Sequence, residues 1–145
     1  LDLRERGYSL VADDITKVKL VDGHDVVGYS NPVTQDYMEV RGIGIINVAA
    51  MFGVKSIRKE KRIDLVVSLE NWDEVKNVDR VGIDEVHTDI LDKKIPLITI
   101  PVREGRDISR LVEVAALHTK LKMMGRNTAQ EFNERLIANI AAQSR

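Results

Sequence analysis

The sequence predicts an α/β fold that ends in a pair of helices, and three observations carry that expectation. Leu1-Asp2-Leu3-Arg4-Glu5-Arg6-Gly7 followed by Tyr8-Ser9-Leu10-Val11-Ala12 reads as the last turns of a helix, a glycine stop and a short apolar strand, which is an α/β unit. The runs 63–69, 86–91 and 95–100 have the length and the apolar content of strands. From Asp107 onward, apolar residues recur at helical spacing in two successive segments.

Composition narrows the function classes. A chain of 145 residues with 43% hydrophobic content suits one globular domain with a real core. Lys+Arg 22 against Asp+Glu 23 leaves a net charge of −1, which gives no electrostatic footprint for nucleic acid or for an anionic membrane. Cysteine is absent, which excludes disulfides, thiolate metal sites and a cysteine nucleophile and agrees with a reducing cytoplasm. No apolar run approaches the roughly 20 residues that span a bilayer, so we expect a soluble protein. The chain opens without methionine, inside what reads as a helix, and we expect it to be a piece of a longer protein.

The first strand, 8–12, runs into Asp13-Asp14. In α/β proteins ligands gather at the carboxyl ends of strands. Two adjacent carboxylates there suit Mg²⁺ and can take a proton from an attacking hydroxyl, yet Asp is also a common turn residue, and an exposed turn pair fits as well. Residues 15–19 and Val26-Val27, separated by Asp22-Gly23-His24-Asp25, predict a β-hairpin. His24 then reads as a solvated turn residue, because no second ligand lies at metal-binding spacing.

Met38-Glu39-Val40-Arg41-Gly42-Ile43-Gly44-Ile45-Ile46-Asn47 sets an acid, a guanidinium and two glycines in apolar sequence. A buried Glu-x-Arg pair costs several kcal/mol of desolvation unless partners compensate it, at about that much per ion. Two readings stand: a salt-bridged turn with two conformational glycines, or a ligand site where backbone turns tightly and lets a ligand approach. Residues 45–52 are apolar and alanine-rich and predict a short buried helix whose amino end directs free N–H groups at whatever Glu39 and Arg41 hold.

The basic run 55–62 reads as a solvated loop or strand edge, and strand 63–69 leads into Glu70-Asn71-Trp72-Asp73, where Trp72 reads as a packing anchor. In Asp79-Arg80-Val81-Gly82 the arginine is open to two readings, a surface charge or a phosphate clamp. Strands 86–91 and 95–100 follow, with Pro96 confined to a strand start or an edge. Pro101-Val102-Arg103-Glu104-Gly105-Arg106 forms a loop with two arginines. Asp107 is the expected N-cap of a helix with Leu111, Val114, Ala115, His118 and Leu121 on one face and Gly125 as its stop, and His118 reads as a core histidine. Thr128-Ala129-Gln130-Glu131 is a capping box, and Phe132, Leu136 and Ile140 form the stripe of the last helix.

Val11-Ala12-Asp13-Asp14, the block from Met38 to Asn47, Leu69-Glu70-Asn71-Trp72 with Asp79-Arg80-Val81-Gly82, and Pro101-Val102-Arg103-Glu104-Gly105-Arg106 stand in the order of the motifs of bacterial HPr kinase/phosphorylase, which the chain resembles over essentially its whole length. The resemblance implies a P-loop kinase core like that of phosphoenolpyruvate carboxykinase, a mixed sheet with C-terminal helices, in which residues 1–145 form the C-terminal part of one catalytic domain. It implies phosphorylation of a serine of the phosphocarrier HPr with ATP and Mg²⁺, and removal of that phosphate by inorganic phosphate with release of pyrophosphate, in carbon catabolite regulation. Asp14 then corresponds to the general base of phosphorylation and the general acid of the reverse reaction. Glu39 corresponds to a Mg²⁺ ligand with Asp13 assisting, Arg80 to a catalytic arginine, Arg41 to the segment both reactions use, and Arg106 to the loop associated mainly with dephosphorylation. A cytoplasmic homohexamer is implied as well.

The resemblance has two departures. The family carries G-x-x-x-x-G-K-[ST] and a catalytic histidine upstream of the double aspartate, and neither stands in this sequence; aligned, Leu1 falls a few residues past that loop. The chain by itself is therefore expected to bind ATP poorly and to be nearly inactive. Asn47 stands where many relatives have Asp. Two alternatives stay beside the HPr reading: a kinase of the same fold with another acceptor, and a non-catalytic module that assembles through its C-terminal helices.

Overall fold

Gly7 stops the first helix as its position predicts. The computed structural model, which describes residues 1–71, 73, 86–126 and 128–143, opens with α1 (Asp2–Glu5). Gly7, at φ 97, donates its N–H to the Arg4 carbonyl (3.0 Å), and Tyr8 donates to Leu3 (3.1 Å), the paired bonds of a Schellman motif. Trp72 and the segment 79–82, including Arg80, lie outside the described residues.

The residues group into two compact units, Leu1–Asp64 with Asp89–Ile95 and Leu65–Thr88 with Pro96–Arg145. In the first, β1 (Lys17–Val21), β2 (Asp25–Tyr29) and β5 (Glu60–Arg62) form an antiparallel sheet in the order β1-β2-β5. The predicted hairpin is there, closed by Asp22 and Gly23 at φ 54 and 75, the pattern of a type I′ turn, with His24 exposed beside it. Val26, Val27 and Gly28 of the central strand are buried. The strand expected over 8–12 reduces to one bridge, Leu10 to Ile57. Its neighbour explains why. Residues Val54–Ser56 are a 3-10 turn, so extended backbone is on offer only from Ile57 onward.

β3 (Tyr37–Val40) and β4 (Gly44–Asn47) make a two-stranded antiparallel hairpin with Glu39 opposite Ile45 and Met38 opposite Ile46. The helix expected over 45–52 is corrected here: Ile45 and Ile46 belong to β4, and α2 is only Val48–Phe52. Asn47 sets the boundary, because its side-chain Oδ1 accepts from the Ala50 N–H (2.9 Å) as an N-cap, a role Asn and Asp fill alike. Val48 and Ser56 are fully buried, and the Ser56 hydroxyl sits within reach of the Val48 and Gly53 carbonyls.

β6 (Val66–Asn71) runs parallel to β8 (Lys93–Val102) along the part of β8 that belongs to the second unit, from Val66 beside Leu97 to Asn71 beside Val102, and β7 (His87–Ile90) flanks β8 on the other side. The sheet is mixed, and β8 is its central strand. Pro96 falls just before the ladder with β6 begins, which reconciles it with a central strand. Strand 86–91 ends earlier than expected, since Leu91 and Asp92 turn at φ 49 and 63. The loop expected from Pro101 starts instead at Arg103, because Pro101 and Val102 still pair with β6 and Pro101 is buried.

α3 (Ile108–Met123) is capped by Asp107, whose Oδ1 accepts from the Arg110 N–H (3.1 Å) and the Ser109 hydroxyl (2.9 Å). Its stop repeats the α1 pattern: Gly125 donates to Lys122 and Arg126 to Leu121. The covered face is rotated from the expected one. Ala115 and Thr119 are buried and His118 is half-buried, whereas Val114 and Leu121 are exposed. α4 (Thr128–Gln143) buries none of its described residues, and Glu131, expected in a capping box, chelates Arg126 with two contacts of 3.3 Å. Among the described residues no helix is long and apolar enough to cross a membrane.

Candidate functional site

The first unit brings Asp13 and Glu39 together, and it does so through the backbone. The Glu39 N–H donates to Asp13 Oδ2 at 2.9 Å, across 26 residues of chain. A carboxylate accepting a backbone N–H is a charge-assisted bond, stronger than a neutral one. It joins the double aspartate to the block beginning at Met38, two motifs that stand apart in sequence. Asp14 is the next residue and is exposed to solvent, as Asp13 is.

The Glu-x-Arg-Gly-x-Gly block is the tip of the β3–β4 hairpin. Ile43 donates its N–H to the Val40 carbonyl (3.0 Å), so Val40-Arg41-Gly42-Ile43 is a β-turn. Gly42 holds the third position at φ 88, the signature of a type II turn, and Gly44 follows at φ 110. A Cβ on either glycine would meet no atom within 4 Å. Both glycines therefore answer a conformational demand of the turn.

The expectation that Glu39 and Arg41 are buried charges is corrected. Both are exposed, and no ion pair joins them among the described residues. The two-residue period of the strand explains it: Met38, Val40 and Ile46 turn to the half-buried side, while Tyr37, Glu39 and Ile45 share the face toward water, Ile45 at 75% exposure. Exposure removes the desolvation cost and leaves Glu39 free to meet a cation.

The helix amino end expected to serve this site has two of its N–H groups committed elsewhere. The Val48 N–H goes to the Asp36 carbonyl (2.8 Å) and the Ala50 N–H to Asn47, so those donors are already used within the fold. The basic run 55–62 is likewise partly engaged: Lys19 pairs with Glu60 at 2.6 Å and Arg62 with Asp64 at 2.6 Å. Hydrogen bonding to those carboxylates raises the pKa of both cations.

Of the remaining site residues, Arg106 lies in the second unit, where its Nη1 donates to the Pro101 carbonyl (3.0 Å) and so folds the loop back onto the end of β8. Arg80 lies outside the described residues. The partnership that sequence reasoning missed is the acceptor role of Asp13. Nothing in a sequence marks which distant amide a carboxylate will take.

For a divalent cation, Glu39 offers an exposed carboxylate, while Asp13 has one oxygen already engaged by the Glu39 N–H. Among the described residues no three His, Asp or Glu side chains gather. That arrangement suits Mg²⁺, which keeps several waters and is held by one or two carboxylates together with substrate phosphate.

Comparison with known proteins identifies the family. The chain is 48% identical over 136 residues to HPr kinase/phosphorylase 1 of Oceanobacillus iheyensis, covering 94% of the chain and 44% of that protein. It is 46% identical over 140 residues to HPr kinase/phosphorylase of Bacillus mycoides, covering 97% of the chain and 45% of the relative. The chain thus spans less than half the length of these relatives. The solved structure of the Hpr(Ser) kinase/phosphatase from Coxiella burnetii superimposes with a TM-score of 0.79 at 28% identity, over 92% of this chain and 81% of that one. With residues 1–136 also matching the family described as HPr Serine kinase C-terminal domain, the chain belongs to that family.

Proposed function

We propose that this chain forms part of the catalytic domain of a bifunctional enzyme that phosphorylates a serine of HPr with ATP and removes the phosphate with inorganic phosphate. The observation that carries the reading is the 2.9 Å bond from the Glu39 amide to Asp13, which couples the double aspartate to the Glu-x-Arg hairpin. Family membership and relatives named HPr kinase/phosphorylase support the acceptor. In this reading residues 1–145 belong to one catalytic domain with a P-loop core of the phosphoenolpyruvate carboxykinase kind.

The roles follow from phosphoryl-transfer chemistry, in which positioning and charge stabilisation supply most of the rate. Asp14, exposed at the loop end, takes the proton of the serine hydroxyl as it attacks the γ-phosphoryl group. In the reverse direction it returns that proton to the serine oxygen as phosphate displaces it and pyrophosphate forms. Glu39 would hold Mg²⁺, with Asp13 beside it fixing the Glu39 backbone, and the bound ion would neutralise phosphate charge. Arg41 at the hairpin tip and Arg80 stabilise the transferring group, and Arg106 serves the second anion that phosphorolysis requires. The exposed Phe132, Leu136 and Ile140 of α4 are consistent with assembly as a homohexamer, and the absence of cysteine agrees with a cytoplasmic setting.

The test is incubation of the full-length protein with HPr, ATP and Mg²⁺. Phosphoserine on HPr is expected, and its reversal on adding inorganic phosphate, with Asp14→Asn abolishing both. Phosphorylation of a different acceptor while HPr stays unmodified overturns the HPr reading. Full activity of Asp14→Asn overturns the assigned base.

A further inference from the structure

Among the described residues the outer edge of β3 has no neighbouring strand. β3 and β4 form a sheet of two, and such a hairpin is marginally stable by itself in water. The Glu39 N–H is donated outside the β3–β4 ladder, to a carboxylate that approaches from the loop following Leu10. At 2.9 Å the contact is of full hydrogen-bond length. A second tie, the Val48 N–H to the Asp36 carbonyl, secures the far end of the same hairpin.

We propose that Asp13 is a positioning residue, which fixes Glu39 relative to Asp14 by accepting the Glu39 backbone N–H. The consequence for catalysis rests on the kinase reading above. Asp13 adjoins Asp14 in the chain, and the N–H it accepts is one bond from the Glu39 Cα. One hydrogen bond therefore sets the separation of the two backbone positions that carry the proposed base and the proposed metal ligand. Without it, the ties between the 13–14 loop and β3 among the described residues are indirect, through the Leu10–Ile57 bridge and the Ser56 hydroxyl on the Val48 carbonyl. Misplacement of about 1 Å in such a constellation lowers rates by about a hundredfold. The bond requires an acceptor oxygen at this length of side chain and does not require charge. Asparagine retains that oxygen, alanine lacks it, and glutamate moves it outward by a methylene.

The experiment compares Asp13→Asn and Asp13→Ala in the full-length protein, by hydrogen exchange of peptides covering 37–47 and by kinetics of both reaction directions across Mg²⁺ concentration. For Asp13→Ala, exchange in 37–44 about tenfold faster is expected, with kcat reduced in both directions. Asp13→Asn is expected to exchange within threefold of the parent and to recover most of kcat, with an unchanged Mg²⁺ requirement. If Asp13→Asn is as impaired as Asp13→Ala and both need more Mg²⁺ while exchange is unaltered, the carboxylate acts on the metal directly and the proposal is overturned. If Asp13→Ala does not fold, Asp13→Asn decides: retained kcat and protection support the proposal, and loss of either overturns it. The exchange comparison stands whichever acceptor the enzyme uses, so failure of the HPr reading and failure of this one are distinguishable.

Discussion

Replacing Gly42 with alanine isolates a backbone effect, because an added Cβ meets nothing within 4 Å. The cost is then the strain of an L-residue at φ 88 in the third position of a type II turn. Holding a non-glycine residue in left-handed backbone costs about 1–2 kcal/mol. Alanine also restricts the unfolded chain, which returns about 0.4–1 kcal/mol. The net loss is about 1 kcal/mol, a fall in Tm of about 2–4 °C for a chain near this size. Gly42→Asn is expected to lose less, since asparagine tolerates positive φ. Thermal unfolding of the three proteins followed by circular dichroism, repeated in urea, measures both values. An alanine variant indistinguishable from the parent, or an asparagine variant worse than alanine, would refute the type II assignment. A loss above about 3 kcal/mol would mean that the methyl group meets a neighbour after all.

Asn47→Ala is expected to cost about 1 kcal/mol through loss of the α2 cap, and Asn47→Asp to be nearly neutral in urea unfolding. Leu91→Asn should stabilise by about 0.5–1 kcal/mol, because it relieves a bulky residue from φ 49 in the β7–β8 turn. Lys19 has its pKa raised above 10.5, first by the hydrogen bond to Glu60 against a smaller opposing desolvation. A raised folded value means the pair's contribution is complete below 10.5 and is lost as pH rises through the folded pKa, so Lys19→Met should flatten the decline of stability above pH 10.5. Arg106→Ala is expected to impair phosphorolysis more than phosphorylation, and equal loss in paired assays of the two directions counts against that division.

Legibility followed the range over which each signal acts. Gly7 and Gly125 marked two helix ends because the left-handed stop is a local demand met by one residue type, and Asp107 marked a cap for the same reason. The turn at Asp22-Gly23 was equally readable. Leu91 hid a turn by occupying left-handed backbone that leucine seldom adopts. Ile45 and Ile46 suggested a helix because a short apolar run has no period to distinguish helix from strand; the deciding contact was pairing with Met38 and Glu39 across the Gly42 turn. The site residues Asp13, Asp14 and Glu39 were identifiable as types in a pattern. The exposure of Glu39 was not, because solvent access depends on which face of a two-stranded hairpin is covered, and neither was the acceptor bond of Asp13, which joins positions 26 residues apart.

The parallel pairing of β6 with β8 orders the assembly of the chain in time. Val40 and Gly44 are four residues apart and Lys17 and Tyr29 twelve, so the hairpins of the first unit close locally, on a scale of about 1–10 μs. Val66 and Leu97 are thirty-one residues apart and lie side by side in the same direction, which no tight turn can achieve. Loop-closure entropy must be met before that ladder forms a single bond. β7 eases the search, since its two-residue turn at Leu91-Asp92 presents β8 as an edge already extended. The slow step is then the arrival of β6 on the β7–β8 hairpin, and substitutions along 66–71 should register in the refolding rate.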